Sequence, residues 1–174
     1  DPTQDGFVFV ETVVTGEKPR GVALDSRGIS LYITGRDWLS VAVRNPATGG
    51  LLPAWLFTDN LHGADGLEGA SAVVVTPVGD KTIVAGEDED AVAVFTRDNF
   101  DGYLELEAIY RDGVDGVDGI SYPTAFAMSP DSRFLYVAGS GEDSLAVFSL
   151  PDTWTIFRDG FEGGDSSLWS AVVP

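Results

Sequence analysis

Apolar and polar residues alternate along much of this chain with a period of two, in short runs. Leu31-Tyr32-Ile33-Thr34, Thr82-Ile83-Val84-Ala85 and Leu135-Tyr136-Val137-Ala138 are such runs, and each is closed by a glycine, at Gly35, Gly86 and Gly139. An acidic or polar turn follows each glycine. Then comes a second alternating run: Leu39-Ser40-Val41-Ala42-Val43, Asp90-Ala91-Val92-Ala93-Val94 and Asp143-Ser144-Leu145-Ala146-Val147. Period-two alternation bounded by turn residues predicts half-buried β-strands. Gly, Asp or Pro interrupts every longer apolar stretch, so almost no helix is predicted.

These runs recur at a nearly constant interval. Gly35 and Gly86 lie 51 residues apart, and Gly86 and Gly139 lie 53 apart. Similar apolar runs close the first two repeats, from Gly50 to Phe57 and from Gly102 to Tyr110, so a full repeat has four strands. A repeat of this length built from four short strands reads as a β-propeller blade. The expected fold is all-β, with three four-stranded blades per chain. Repeats run over about 19–69, 70–122 and 123–150, and residues 151–174 form a C-terminal strand and tail.

The two ends of the repeat array complement each other. Residues 6–14 predict a fourth strand with no blade of its own, and the fourth strand of the third repeat, 154–157, fits the repeat poorly. A strand from one terminus that completes the blade of the other hides both sheet edges. Closure within one chain would give only three blades, whereas propellers have about four to eight. The expectation is a homodimer that closes a six-bladed ring, and the alternative is a piece of a longer propeller. A chain that begins at Asp1 with no visible signal peptide reads as a processed protein or a fragment.

Composition narrows the partners. The 174 residues carry 28 acids against 10 bases, a formal net charge of −18, and the only lysines are Lys18 and Lys81. No basic stripe is present to meet a phosphate backbone, so no nucleic-acid partner is expected. The acid excess suits high salt and fits a marine or halophilic bacterium. No apolar run approaches the roughly 18 residues of a membrane span. Cysteine is absent, which excludes disulfides, thiol catalysis and cysteine-ligated zinc.

Ser129-Pro130-Asp131-Ser132-Arg133-Phe134-Leu135-Tyr136-Val137-Ala138-Gly139 resembles the blade motif of lactonase-like and YVTN-type bacterial β-propellers. Asp143-Ser144-Leu145-Ala146-Val147-Phe148 and Ala91-Val92-Ala93-Val94-Phe95-Thr96-Arg97-Asp98 resemble it too, and the likeness covers roughly residues 6–150. The first two repeats depart from the motif, with Asp25-Ser26-Arg27-Gly28 and Thr76-Pro77-Val78-Gly79 at the turn, but keep its turn chemistry. The resemblance implies a propeller. The family includes enzymes acting on sugar lactones as well as binding proteins, and fold alone does not choose between them. The tail from Asp159 to Ser170 is similar to a C-terminal segment of some secreted gammaproteobacterial proteins and to the first strand of jelly-roll carbohydrate-binding modules. It points to export.

Candidate chemistry gathers in the loops. Asp112, Asp115 and Asp118 are spaced every third residue in a Gly-rich loop, whose counterpart runs from Asp59 to Glu68. Such a loop is a candidate calcium site, because calcium takes six to eight oxygens; the competing reading is an acidic connection chosen for turn geometry. Glu89 and Glu142 lie in equivalent turns and predict an acidic rim on one face. Trp38 is expected in the same turn position, exposed, where it could stack on a sugar or anchor a partner. Packing between blades is the competing role for Trp38, and is the role assigned to Trp55 and Trp154. His62, the only histidine, sits in a loop without a nucleophile elbow and is expected to face solvent.

Together these features lead to the expectation of a non-catalytic, self-associating binding or scaffold protein, secreted or periplasmic. Trp38, Glu89 and Glu142 would meet a carbohydrate, cation or protein partner, and calcium is the candidate cofactor. The alternative is a lactonase-like hydrolase with a site on the propeller axis.

Overall fold

The computed structural model describes residues 8–150. It is an all-β partial propeller of three antiparallel sheets that follow one another along the chain. The first holds β1 (Gly21–Leu24), β2 (Ser30–Gly35), β3 (Trp38–Arg44) and β4 (Leu51–Thr58), hydrogen-bonded in that order. The second holds β5 (Ala70–Val75), β6 (Lys81–Gly86), β7 (Ala91–Arg97) and β8 (Leu104–Arg111), again in chain order. The third holds β9 (Pro123–Met128), β10 (Phe134–Gly139) and β11 (Ser144–Ser149), with β10 central. A single 3-10 turn, Glu87–Glu89, is the only helical element among the described residues.

The hydrophobic core lies between the sheets, because alternation gives each strand two faces. Tyr32, Leu39, Val41 and Phe57 of the first sheet pack against Val73, Val84, Ala93 and Phe95 of the second. The opposite face of the second sheet, with Ile83 and Val92, packs against Leu135, Val137, Phe126 and Phe148 of the third. Burying these side chains is the main stabilising term, roughly 1.5–3 kcal/mol for each large one.

The turn at the start of each second strand uses three different residues for one task. Asp25 Oδ1 accepts from the Ile29 and Ser30 amides at 2.7 and 3.0 Å. Thr76 Oγ1 accepts from the Lys81 amide at 3.1 Å, and Ser129 Oγ from the Phe134 amide at 2.9 Å. A side-chain oxygen that accepts backbone N–H groups closes the turn in each case.

The repeated glycines also have a physical cause. A Cβ on Gly86 would lie 2.5 Å from the Gly66 carbonyl oxygen, and one on Gly139 would lie 2.4 Å from that of Gly119. The loop that arrives from the fourth strand crosses the end of the next blade's second strand there, so only glycine fits.

One expected strand is not formed. Residues 8–14 carry no strand and pair with no sheet, although the sequence predicts a strand over 6–14. Glu11 reaches the edge strand β4 only through its side chain, whose Oε1 accepts from the Leu51 amide at 2.9 Å. The expected strand 154–157 and the tail lie outside the described residues.

Candidate functional site

Strand direction sorts the loops by end. In each four-stranded sheet the connection between the second and third strands and the exit from the fourth strand lie at the same end. The loops 59–69 and 112–122 and the turns 36–37, 87–90 and 140–143 therefore gather on one side of the molecule. Asp59, Asp65, Glu89, Asp112, Asp118 and Glu142 all lie at this end.

Loops 59–67 and 112–120 share one conformation. His62 and Asp115 both have φ of 53°, and Gly63 and Gly116 both have φ of 83°. Asp59 Oδ1 accepts from the Leu67 amide, and Asp112 Oδ1 from the Ile120 amide, each at 2.9 Å. Leu67 and Ile120 are fully buried, so each aspartate pins its loop onto the core.

Two repeat-related carboxylate groups result. Asp59, Asp65 and Glu89 bring an oxygen each within 4.8 Å of one another, and Asp112, Asp118 and Glu142 do the same. Every residue of the second group lies 53 positions after its counterpart in the first. Asp115 belongs to neither group, which corrects the expected trio of Asp112, Asp115 and Asp118. Its loop turns through a left-handed residue at Asp115, and Glu142 from the neighbouring turn takes the third place. By donor type either group could take a hard divalent cation, with three carboxylates toward the six to eight oxygens of a calcium ion.

The two groups differ in burial and in charge partner. Glu142 is exposed, whereas the Glu89 side chain keeps only 15% of its surface and forms no open rim. Arg111, the last residue of β8, places Nη2 3.4 Å from Asp65 Oδ1 and 3.5 Å from Glu89 Oε2. Glu89 Oε2 is buried and accepts no hydrogen bond among the described residues. Burial pushes the Glu89 carboxyl above its usual range, the Asp59 charge adds to the rise, and Arg111 opposes both. A carboxylate poised upward beside a guanidinium, at a loop-rich end, has the makings of a general base with an electrophilic neighbour.

Trp38 departs from expectation. It is 8% exposed and is the first residue of β3, paired with Gly35 as Ala91 pairs with Gly86 and Ser144 with Gly139. The first blade's turn is two residues shorter, so Trp38 aligns with Ala91 and not with Glu89. Its indole Nε1 donates to the Glu17 carbonyl at 2.9 Å, and its ring fills the space beside Gly16 and Gly35. A buried indole offers no face to a sugar. His62 is exposed, as expected.

Trp55 is less buried than its packing role predicts. It meets Tyr103 edge to face, with centroids 5.0 Å apart, in a cleft of about 370 Å³ at the opposite end of the sheets. Trp154 and Trp169 lie outside the described residues.

Arg111 is the functional candidate that motif reading missed. The signal for the site was nevertheless present: the residue pairs 59/112, 65/118 and 89/142 each match across one repeat interval.

Comparison with known proteins now bears on this geometry. Residues 84–158 match the family model described as "Lactonase, 7-bladed beta-propeller". The structure is similar to a Bacteroides fragilis protein described as a candidate 6-phosphogluconolactonase, with a TM-score of 0.66 and 19% identity over 81% of this chain. It is similar to the periplasmic gluconolactonase PpgL of Pseudomonas aeruginosa, with a TM-score of 0.62 and 25% identity over 78% of this chain. It is also similar to Kuenenia stuttgartiensis hydrazine synthase, with a TM-score of 0.55 and 21% identity over 83% of this chain. The chain spans 37%, 36% and 36% of those three structures. Comparison with curated protein sequences gives no match.

The resemblance to lactonase-like β-propellers is borne out by this family match and these neighbours. The expectation of a non-catalytic binding or scaffold protein is overturned by the same findings, which favour the hydrolase alternative. Its physical premise also fails at Trp38 and Glu89, which are not the open binding rim that was expected. No helix among the described residues is long and apolar enough to cross a membrane.

Proposed function

We propose that this chain supplies part of a lactonase-like hydrolase, with Glu89 as general base and Arg111 as the group that stabilises the oxyanion. The observation that carries the proposal is the buried, unbonded Glu89 Oε2 within 3.5 Å of Arg111 Nη2. In the reaction, water attacks the carbonyl carbon of the lactone while Glu89 takes its proton. The carbonyl oxygen gains negative charge, which an Arg111 N–H meets. The ring C–O bond then breaks, and the Glu89 carboxylic acid returns the proton to the leaving alkoxide. One lactone and one water give one hydroxy acid, with no redox change.

Asp65 and Asp59 serve this chemistry indirectly. Asp65 shares Arg111 with Glu89 and limits where the guanidinium can sit. Asp59 keeps the loop docked and its charge helps raise Glu89. The substrate class that fits is a sugar lactone, and the periplasmic neighbour supports a secreted or periplasmic setting.

The test is hydrolysis of a panel of aldonolactones, measured by proton release above the spontaneous rate. Turnover that falls about 100-fold or more in Glu89→Gln, and falls in Arg111→Met, supports the proposal. No turnover above the blank, or full turnover in Glu89→Gln, overturns it.

A further inference from the structure

The two ends of the sheet array carry matching halves of one junction. The third sheet packs one face on the second through Phe126, Leu135, Val137 and Phe148. Its other face exposes Phe134, Tyr136, Leu145 and Val147, and β11 has no fourth strand beside it among the described residues. At the opposite end, the first sheet turns Val22 and Leu24 to solvent. Just before it, residues 8–14 form no strand pairing and expose Val8, Phe9, Val10 and Val14, with Phe9 at 80%.

The polar chemistry of the junction is divided in the same way. Between the first two sheets, Arg97 Nε donates to the Tyr32 hydroxyl. Tyr136 occupies the register of Tyr32: it lies opposite Ala127 and Val147, as Tyr32 lies opposite Ala23 and Val41. Arg44 occupies the register of Arg97: it lies opposite Leu51, as Arg97 lies opposite Leu104. Each arginine also donates through Nη1 to a turn glycine, Arg44 to Gly28 at 3.0 Å and Arg97 to Gly79 at 2.9 Å. So the third sheet ends in the tyrosine half of the junction, and the first sheet begins with the arginine half.

We infer that two copies of this chain associate head to tail, the open face of the third sheet of one docking on the open face of the first sheet of the other. Arg44 then meets the partner's Tyr136, and residues 8–14 add to the partner's β11 as its fourth strand. Chain order supports this. Within the array each fourth strand directly precedes the first strand of the next sheet, as β4 precedes β5. The segment before β1 therefore belongs beside whichever sheet precedes the first. The cover is a sheet and not a small ligand, because the exposed side chains lie on a flat alternating face with an unpaired edge.

The net charge of −18 opposes association at low salt, so the contact strengthens as salt screens it. A heterologous contact of this kind closes as a dimer or grows as an open chain, according to whether the rotation closes.

The test is light scattering of the full chain across concentration in moderate salt. A mass of two copies, or a mass that grows with concentration, supports the inference. A monomer at every concentration overturns it. Phe9→Asp and Arg44→Ala are each expected to weaken association about tenfold or more, a loss of about 1.4 kcal/mol. Phe100→Asp, on the exposed β7–β8 loop, leaves it unchanged. Phe9 is exposed in the single chain, so the thermal melt of Phe9→Asp at dilution stays that of the parent. Association that survives both substitutions, or that depends instead on residues 151–174, overturns the inference.

Discussion

Arg97 and Tyr32 join the first two sheets: the arginine Nε donates to the tyrosine hydroxyl across the junction. The rest of the guanidinium is equally committed. Nη1 donates to the Gly79 carbonyl at 2.9 Å and to Asn99 Oδ1 at 2.8 Å, and Nη2 to Asp25 Oδ2 at 2.9 Å and to Ser30 Oγ at 3.1 Å. All five N–H donors of the buried group are used. The side chains of Arg97 and Asp25 are 0% and 1% exposed.

Arg97→Met removes the buried partner of the Asp25 carboxylate and leaves it only the partly exposed Arg27 at 3.3 Å. Breaking such a pair costs about 3–5 kcal/mol. Urea unfolding of Arg97→Met is expected to show a loss of that size. The double variant Asp25→Asn/Arg97→Met should lose clearly less than the two single losses added together. Additive losses would mean that the pair is not coupled.

The same aspartate sets an acid limit. Burial alone raises its carboxyl, but the Ile29 and Ser30 amides, followed by Arg97 and Arg27, outweigh burial and hold it below the usual range. A depressed carboxyl stabilises the fold fully above its unfolded value of about 3.9 and loses that contribution as pH falls through the lower folded value. The stability gap between the parent and Asp25→Asn is therefore expected to be constant near neutrality and to shrink below about pH 4. Unfolding free energies at a series of acid pH values check this.

Glu89 behaves oppositely. Its raised carboxyl means that the charged form is disfavoured in the folded state, so the parent gains stability as pH falls through the folded value. Glu89→Gln is expected to be more stable than the parent at neutral pH, with the difference fading in acid. Lactone hydrolysis by the parent should fall over that same pH interval, because the base form is consumed. A variant less stable than the parent at neutral pH would contradict the role given to Glu89.

Gly139→Ala places a Cβ against the Gly119 carbonyl, and overpacking of this kind costs about 1–3 kcal/mol. Gly86→Ala is expected to do the same at the equivalent crossing. Thermal melts of both variants measure the cost.

The strand pattern and the threefold repeat were legible because alternation and glycine spacing are local signals. Leu135 to Gly139 and Ser144 to Phe148 form strands where the pattern placed them. The turn lengths carried less visibly. Trp38 looked like a rim residue because the first repeat is two residues shorter, and only strand pairing shows where the gap falls. Asp115 looked like a ligand because it has its neighbours' spacing, yet the loop's left-handed turn leaves it out of the cluster. Arg111 was unreadable in advance, since it closes a strand and meets Asp65 and Glu89 only once the loop folds over it. Residues 8–14 read as a strand by composition, but a strand needs a neighbour, and the described residues of this chain supply none.

The two internal junctions do not share a language. Where Arg97 faces Asp25 and Tyr32, the next junction sets Leu150 near Ile83, in apolar surroundings. A third sheet that docked early on the first would leave the buried Asp25 without Arg97, with only the partly exposed Arg27 beside it, and a second sheet docked in the third sheet's place would bury a guanidinium among aliphatic side chains. Either error costs several kcal/mol. Near-identical repeats are prone to assemble out of turn as they emerge from synthesis. Here the polar and apolar junctions each match only their own pair of sheets, so a wrong neighbour is penalised.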